Sequence, residues 1–139
     1  MMTSNTPHAQ AILNASLVCD LALGFEPEIE VIKKWALLPR YLTAGFSYLG
    51  LACAGDSTSL ETTIRYLARH MTRLDQNPAI IRVKTAEDIL RAKEESKLAV
   101  SFWFQGTNPI GHDLNMIDLY YNLGVRYMIL AYNTRNAVG

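Results

Sequence analysis

Residues able to do chemistry gather at the ends of two apolar runs in the last third of the chain. The first run, Leu98 to Phe104 (LAVSFWF), ends in Gln105-Gly106. The second, Val125 to Ala131 (VRYMILA), ends in Tyr132-Asn133-Thr134-Arg135-Asn136. A carboxamide such as Gln105 both donates and accepts hydrogen bonds, and a guanidinium such as Arg135 can clamp a carboxylate through two parallel bonds. A phenol such as Tyr132 donates one hydrogen bond but is no base near neutral pH. Plainer readings stand beside these. Gln105 can cap a loop, Tyr132 can pack with a wet hydroxyl, and Asn133, Arg135 and Asn136 are ordinary loop chemistry.

Other constellations carry less. His112-Asp113 precedes a helix-like segment, where Asp113 suits an N-cap better than a ligand position. His8 lies near the start of the chain, His70 falls on the polar side of an expected helix, and Asp75, Glu87 and Asp88 read as surface or capping charges. No Ser-His-Asp or Cys-His arrangement has support, and no His-x-Asp pair occurs. The phosphate-cradling patterns G-x-G-x-x-G and G-x-x-x-x-G-K-[ST] are absent.

Strands and helices must place these residues. A continuous apolar run bounded by polar residues reads as a strand buried on both faces, and polar residues at the carboxyl ends of such strands are where α/β folds place their chemistry. Further strands are expected at Ala15 to Asp20, Phe46 to Ala54 and, as a short accessory, Ala79 to Val83. Helical spacing marks Glu26 to Leu37 (Ile29, Ile32, Trp35, Ala36), which Pro39 should end. Thr58-Ser59-Leu60-Glu61 reads as a capping box before a helix whose apolar face is Leu60, Ile64, Leu67, Met71 and Leu74. Thr85 to Glu95, with Ile89, Leu90 and Ala92 inward, and Asp113 to Leu123, closed by Gly124, complete the set.

Strands alternating with helices predict an α/β fold with a parallel sheet and right-handed crossovers. About four main strands and one accessory strand are expected, where a (β/α)8 barrel needs eight and typically about 250 residues. Either the chain is the N-terminal half of such a barrel, one incomplete domain over residues 1–139 with no internal boundary, or it is a small open α/β sheet in its own right. The text stops at Gly139 directly after a strand, which fits the front of a larger fold.

Composition narrows the class. Half of the 139 residues are apolar, 19% are charged, and 13 basic residues balance 13 acidic ones. Nothing here favours nucleic acid or an anionic membrane as a partner. Cys19 and Cys53 both fall in apolar runs, where a thiol packs as a small hydrophobe, and a disulfide between them is conceivable. The first residues lack a cationic start and an unbroken apolar stretch, and no segment approaches about 18 uninterrupted apolar residues. A cytoplasmic location is expected, with a homo-oligomer or a missing C-terminal half as possible partners.

Lys97 to Gly139 also resembles the membrane (renal) dipeptidase family, zinc metallopeptidases of the amidohydrolase barrel type. Gln105-Gly106-Thr107 stands where that family has E-G-G at a strand end. Leu123-Gly124-Val125-Arg126-Tyr127 and Leu130-Ala131-Tyr132 stand where it has L-G-x-R-Y-x-x-L-T-H, with Asn136 in the polar loop beyond. The spacing from Gln105 to Arg126 fits without gaps, and weaker similarity reaches back to about Leu17. The resemblance implies a barrel that hydrolyses a dipeptide or related small amide with zinc.

It also implies where the metal ligands should stand. The family's D-G-H-x-D falls on Asp20-Leu21-Ala22-Leu23-Gly24, so two ligand positions are Ala22 and Gly24, which cannot coordinate a metal. The metal-bridging glutamate is matched by the neutral Gln105, and the substrate-polarising histidine by Tyr132. Asp20 and Gln105 are weak metal candidates and no other ligand is named. The expectation is a metal-dependent, dipeptidase-like hydrolase with Tyr132 catalytic and Gln105, Asn133, Arg135 and Asn136 binding substrate, the 139-residue chain being inactive alone. Its rivals are a catalytically dead barrel kept for binding or assembly, and a small open α/β domain unrelated to peptidases.

Overall fold

The computed structural model describes residues 7–25 and 34–139. Strands β1 (Cys19–Gly24), β2 (Tyr48–Gly55), β3 (Ile80–Arg82), β4 (Leu98–Gln105) and β5 (Val125–Met128) form one sheet. Every pairing in it is parallel. β2 lies between β1 and β4, while β3 and β5 share the far edge of β4. Leu98 to Val100 pair with β3, and Phe102 to Phe104 pair with β5. With the short β3 set aside, the order β1-β2-β4-β5 follows the chain without reversing. A (β/α)8 barrel progresses in this way, whereas a doubly wound sheet turns back at a switch point. Among the described residues, four main strands and one accessory strand are therefore observed, as the alternation predicted.

The helices are α1 (Pro7–Ala15), α2 (Leu38–Thr43), α3 (Leu60–Asp75), α4 (Ala86–Glu94) and α5 (Asn115–Asn122), with a 3-10 turn at Asn108–Ile110. Several boundaries move from their expected places. Ala15 ends α1, so the first strand begins four residues later than expected, at Cys19, and runs to Gly24. The helix expected from Glu26 lies, through Ile29 and Ile32, outside the described residues. Pro39 does not end a helix but sits in the first turn of α2, where a missing N–H costs nothing. The cap of α3 is Ser59, whose side chain accepts from the Thr62 N–H at 3.2 Å. Thr58 instead takes the Gly55 N–H at 3.2 Å, and Glu61 pairs with Arg65. The reciprocal box occurs at α4, between Thr85 and Asp88. Leu60 and Leu90, expected inward, are about half exposed.

The outer face of the sheet packs on the helices. Leu49, Leu51 and Cys53 of β2 and Leu98, Val100, Phe102 and Phe104 of β4 join Tyr66, Leu67 and Leu74 of α3 and Tyr120 of α5 in one core. Phe104 meets Tyr120 edge-on at 4.7 Å between ring centres. Burial pushes the Tyr120 hydroxyl up to about 12, and it donates to the Pro109 carbonyl at 3.0 Å. Cys53 is buried with its thiol donating to the Trp103 carbonyl at 3.5 Å; Cys19 is exposed, and the disulfide considered for the pair is not formed.

His70 overturns its expected solvated position. It is 2% exposed, stacked on Trp35 at 5.3 Å and close to Tyr66, and its Nδ1 accepts the Trp35 indole N–H at 2.9 Å. A histidine that accepts at Nδ1 is neutral there. Burial, then the positive charges of Arg73 and Arg69, lower its pKa from 6.5 to about 4.

The inner face is lined by Tyr48, Gly50, Ser101, Trp103 and Tyr127. Tyr48 and Ser101 share a 2.6 Å hydrogen bond, and the Trp103 indole donates to the Gly50 carbonyl at 3.0 Å. Tyr127 stacks on Trp103 at 5.6 Å and donates its hydroxyl to the Leu21 carbonyl, crossing the concave side from β5 to β1. It passes over Gly50, where an added Cβ would lie 2.9 Å from the tyrosine Cζ. Burial raises the pKa of both Tyr48 and Tyr127. Ile89 and Ala92 of α4 join Tyr48, Val83, Ala99 and Tyr127 in a second cluster, which covers the amino-terminal end of this face.

Register shifts interrupt all three junctions between successive barrel strands. On β5 the shift falls where Phe102 pairs with Val125 and the next residue, Trp103, pairs with Tyr127. Arg126 is thereby left as an extra residue, and Val125 packs outward while Tyr127 packs inward. The Arg126 guanidinium donates to the carbonyls of Lys84, Tyr121 and Val125.

Candidate active site

The carboxyl ends of β2, β4 and β5 meet in a hydrogen-bonded cluster centred on Asp56, the residue after β2. Its carboxylate accepts from the Asn108 backbone N–H at 3.1 Å and from the Asn136 side-chain amide at 3.1 and 3.2 Å. Its own carbonyl accepts from the Asn108 side chain at 2.8 Å. Beyond β5, the Leu130 carbonyl takes both the Thr107 hydroxyl, at 3.1 Å, and the Asn136 amide, at 2.8 Å. The Asn136 side-chain oxygen receives the N–H groups of Val138 and Gly139. Residues 130–136 thus form a loop whose two ends are tied to each other and to β2.

Gly106 makes this closeness possible. Its φ is +146°, and a Cβ there would run into the Asp56 carboxylate. Only glycine combines that backbone with that approach.

Gln105 stands at the end of β4, paired with Gly55 across the strands. Pleat alternation puts it on the inner face with Ser101 and Trp103. It is partly buried, and no hydrogen bond holds its carboxamide to the described residues. Tyr132 is 58% exposed, and Asn133 and Arg135 are exposed with it on the tied loop. Asn136 is the exception among the expected site residues. Its amide is spent on Asp56, Leu130, Val138 and Gly139, so it holds the loop. Asp20 lies far from these residues. It pairs with Leu49, which pairs with Val100, five positions before Gln105 and so about 15 Å down the sheet. Its carboxylate accepts the Ala22 N–H at 2.9 Å.

Asp56 was missing from the expected set. The signal for it was present, since it is the first charge after the apolar run Phe46 to Ala54, at a strand's carboxyl end.

The donors here do not by themselves fit zinc. Among the described residues no group of three His, Cys, Asp or Glu side chains comes together. Asp56, the carboxylate that the described residues place in this cluster, already receives two N–H donors, and the neighbouring side chains are neutral amides. Amides offer carbonyl oxygens without the charge that a dication requires.

Parallel strands in chain order, with polar groups converging at their carboxyl ends, define the front part of a (β/α)8 barrel. Residues 38–139 match the family model "Membrane dipeptidase (Peptidase family M19)", and the chain belongs to that family. A likeness in fold agrees. The crystal structure of an amidohydrolase from Pseudomonas aeruginosa superposes with a TM-score of 0.78 at 20% identity, covering 91% of this chain and 37% of that one. The chain therefore spans little more than a third of that structure's length. No curated protein matches the sequence at a significant level. The unrelated open α/β domain is set aside by the family match. No helix among the described residues is long and apolar enough to cross a membrane.

Proposed function

We propose that the complete protein is a dipeptidase-like hydrolase, cleaving a dipeptide or a related small amide at the carboxyl ends of its barrel strands. The observation that carries this reading is the family match over residues 38–139, with Gln105 and the tied loop at those ends. In this reading the unengaged Gln105 carboxamide meets the substrate's peptide group, and Arg135 pairs with its terminal carboxylate. Tyr132 donates its phenol proton as a hydrogen bond to the substrate carbonyl, and Asn133 lines the pocket. Asn136 serves substrate through the loop it holds. No step here runs through zinc, because the described residues bring together no ligand set for it; bound in the complete protein, zinc would supply a polarised water.

The test is hydrolysis of a dipeptide panel by the complete protein, with its metal content measured in the same preparation. Gln105→Ala is expected to raise KM about tenfold or more while leaving the fold intact. A protein that is folded but cleaves no dipeptide with any added divalent metal overturns the reading.

A second reading has its own observation. Ala22, Gly24 and Gln105 stand together where the family resemblance implies ligands, as in a barrel kept for binding after its metal chemistry was lost. Absence of stoichiometric zinc from a folded, inactive complete protein would favour it.

A further inference from the structure

The tied loop has one anionic anchor, and its geometry assigns that anchor a role. We propose that Asp56 is a positioning residue: its carboxylate, by holding Asn136, fixes the 130–136 loop and with it the placement of Tyr132, Asn133 and Arg135. The value of this role for catalysis rests on the hydrolase reading above; the holding itself does not.

Three independent features converge on Asp56. It comes from β2, whereas its partners Asn108 and Asn136 follow β4 and β5, so one carboxylate joins three strand ends. Its carboxylate and carbonyl oxygens together accept from the Asn108 backbone, the Asn108 side chain and the Asn136 side chain, which is acceptor chemistry suited to a carboxylate. The space it occupies is kept open by Gly106, at a φ of +146°. Asn136 carries the constraint onward. The amide that binds Asp56 also binds the Leu130 carbonyl, so the carboxylate holds the group that closes the loop's two ends. Tyr132, Asn133 and Arg135 lie between those ends and are exposed.

The chemistry predicts how substitutions differ. Asp56→Asn keeps one accepting oxygen for the Asn108 N–H but turns an N–H group toward the Asn136 amide. Asn136→Asp sets two carboxylates against each other. The double change, Asp56→Asn with Asn136→Asp, restores an amide–carboxylate pair between the two positions with donor and acceptor exchanged, but leaves the Leu130 carbonyl without the amide donor of Asn136.

The experiment is hydrogen exchange on the complete protein, read on peptides covering residues 129–139 and, as a reference, 60–75 and 98–105. Each single variant should speed exchange in 129–139 about tenfold or more, leaving both reference segments unchanged. The double variant, which restores the link to position 56 but not the bond to Leu130, should recover part of that protection relative to Asn136→Asp. Where the protein cleaves a dipeptide, each single variant should lower kcat/KM several-fold, since the loop carries both Arg135 and Tyr132, and the double variant should recover part of the loss seen for Asn136→Asp. Unchanged exchange in 129–139 for both single variants overturns the proposal. So does loss spread equally over the reference segments, which would make Asp56 a general stability residue. If the wild-type protein cleaves no dipeptide, the hydrolase reading fails and the exchange measurements still decide the role of Asp56.

Discussion

At the scale of single residues, the site is built from what glycine and carboxamides allow. Gly106 holds a backbone conformation that side chains rarely adopt, next to a carboxylate that a methyl group would displace. Gly106→Ala is therefore expected to cost about 2 kcal/mol or more from backbone strain and collision. Denaturant midpoints of the complete protein check this, and unchanged stability would mean that Asp56 moves away freely. Gln105, Tyr132, Asn133, Arg135 and Asn136 were all legible as polar residues at strand ends. Their division of labour was not. Sequence shows that Asn136 is polar, but only the fold shows its amide spent between Asp56 and Leu130.

At the scale of elements, the buried apolar runs of β2 and β4 came out within a residue or two, because strands buried on both faces leave a continuous signal. Register shifts at the three barrel-strand junctions left none, since Cys53 or Arg126 as an extra residue looks like any other residue in its run. His70 misled for a related reason: helical spacing counted it as polar, while Trp35 supplies an aromatic stack and a hydrogen bond from outside α3. That burial has a pH signature. The unfolded chain takes up the histidine proton near pH 6.5, but the folded one does so only near about 4. Stability should fall as pH drops through that window and level off below it, by up to about 3 kcal/mol. His70→Gln, which keeps an acceptor for the indole, should remove most of this slope. Denaturation curves at several pH values would show it, and an identical slope in the variant would contradict the assignment.

At the scale of the whole molecule, β1, β3 and β5 each have a partner strand on one side only among the described residues. The chain alone, with no cluster of three metal ligands among its described residues, is expected to cleave no dipeptide and to hold no stoichiometric zinc. Metal analysis and a dipeptide assay on the isolated chain check this, and zinc-dependent turnover by it would refute the reading. The barrel progression was legible from the alternation of strands and helices, whereas the sharing of one edge of β4 by β3 and β5 was not, because pairing partners are set by distant segments. That sharing has a geometric outcome. β3 occupies the first stretch of the edge, from Leu98 to Val100, so β5 can join only from Phe102 upward. A three-residue strand thus acts as a stop that sets the stagger of the fourth barrel strand. Since the accumulated stagger of a closed sheet determines its tilt and bore, lengthening or deleting β3 should change the width of the opening above Gln105 without touching any residue that lines it.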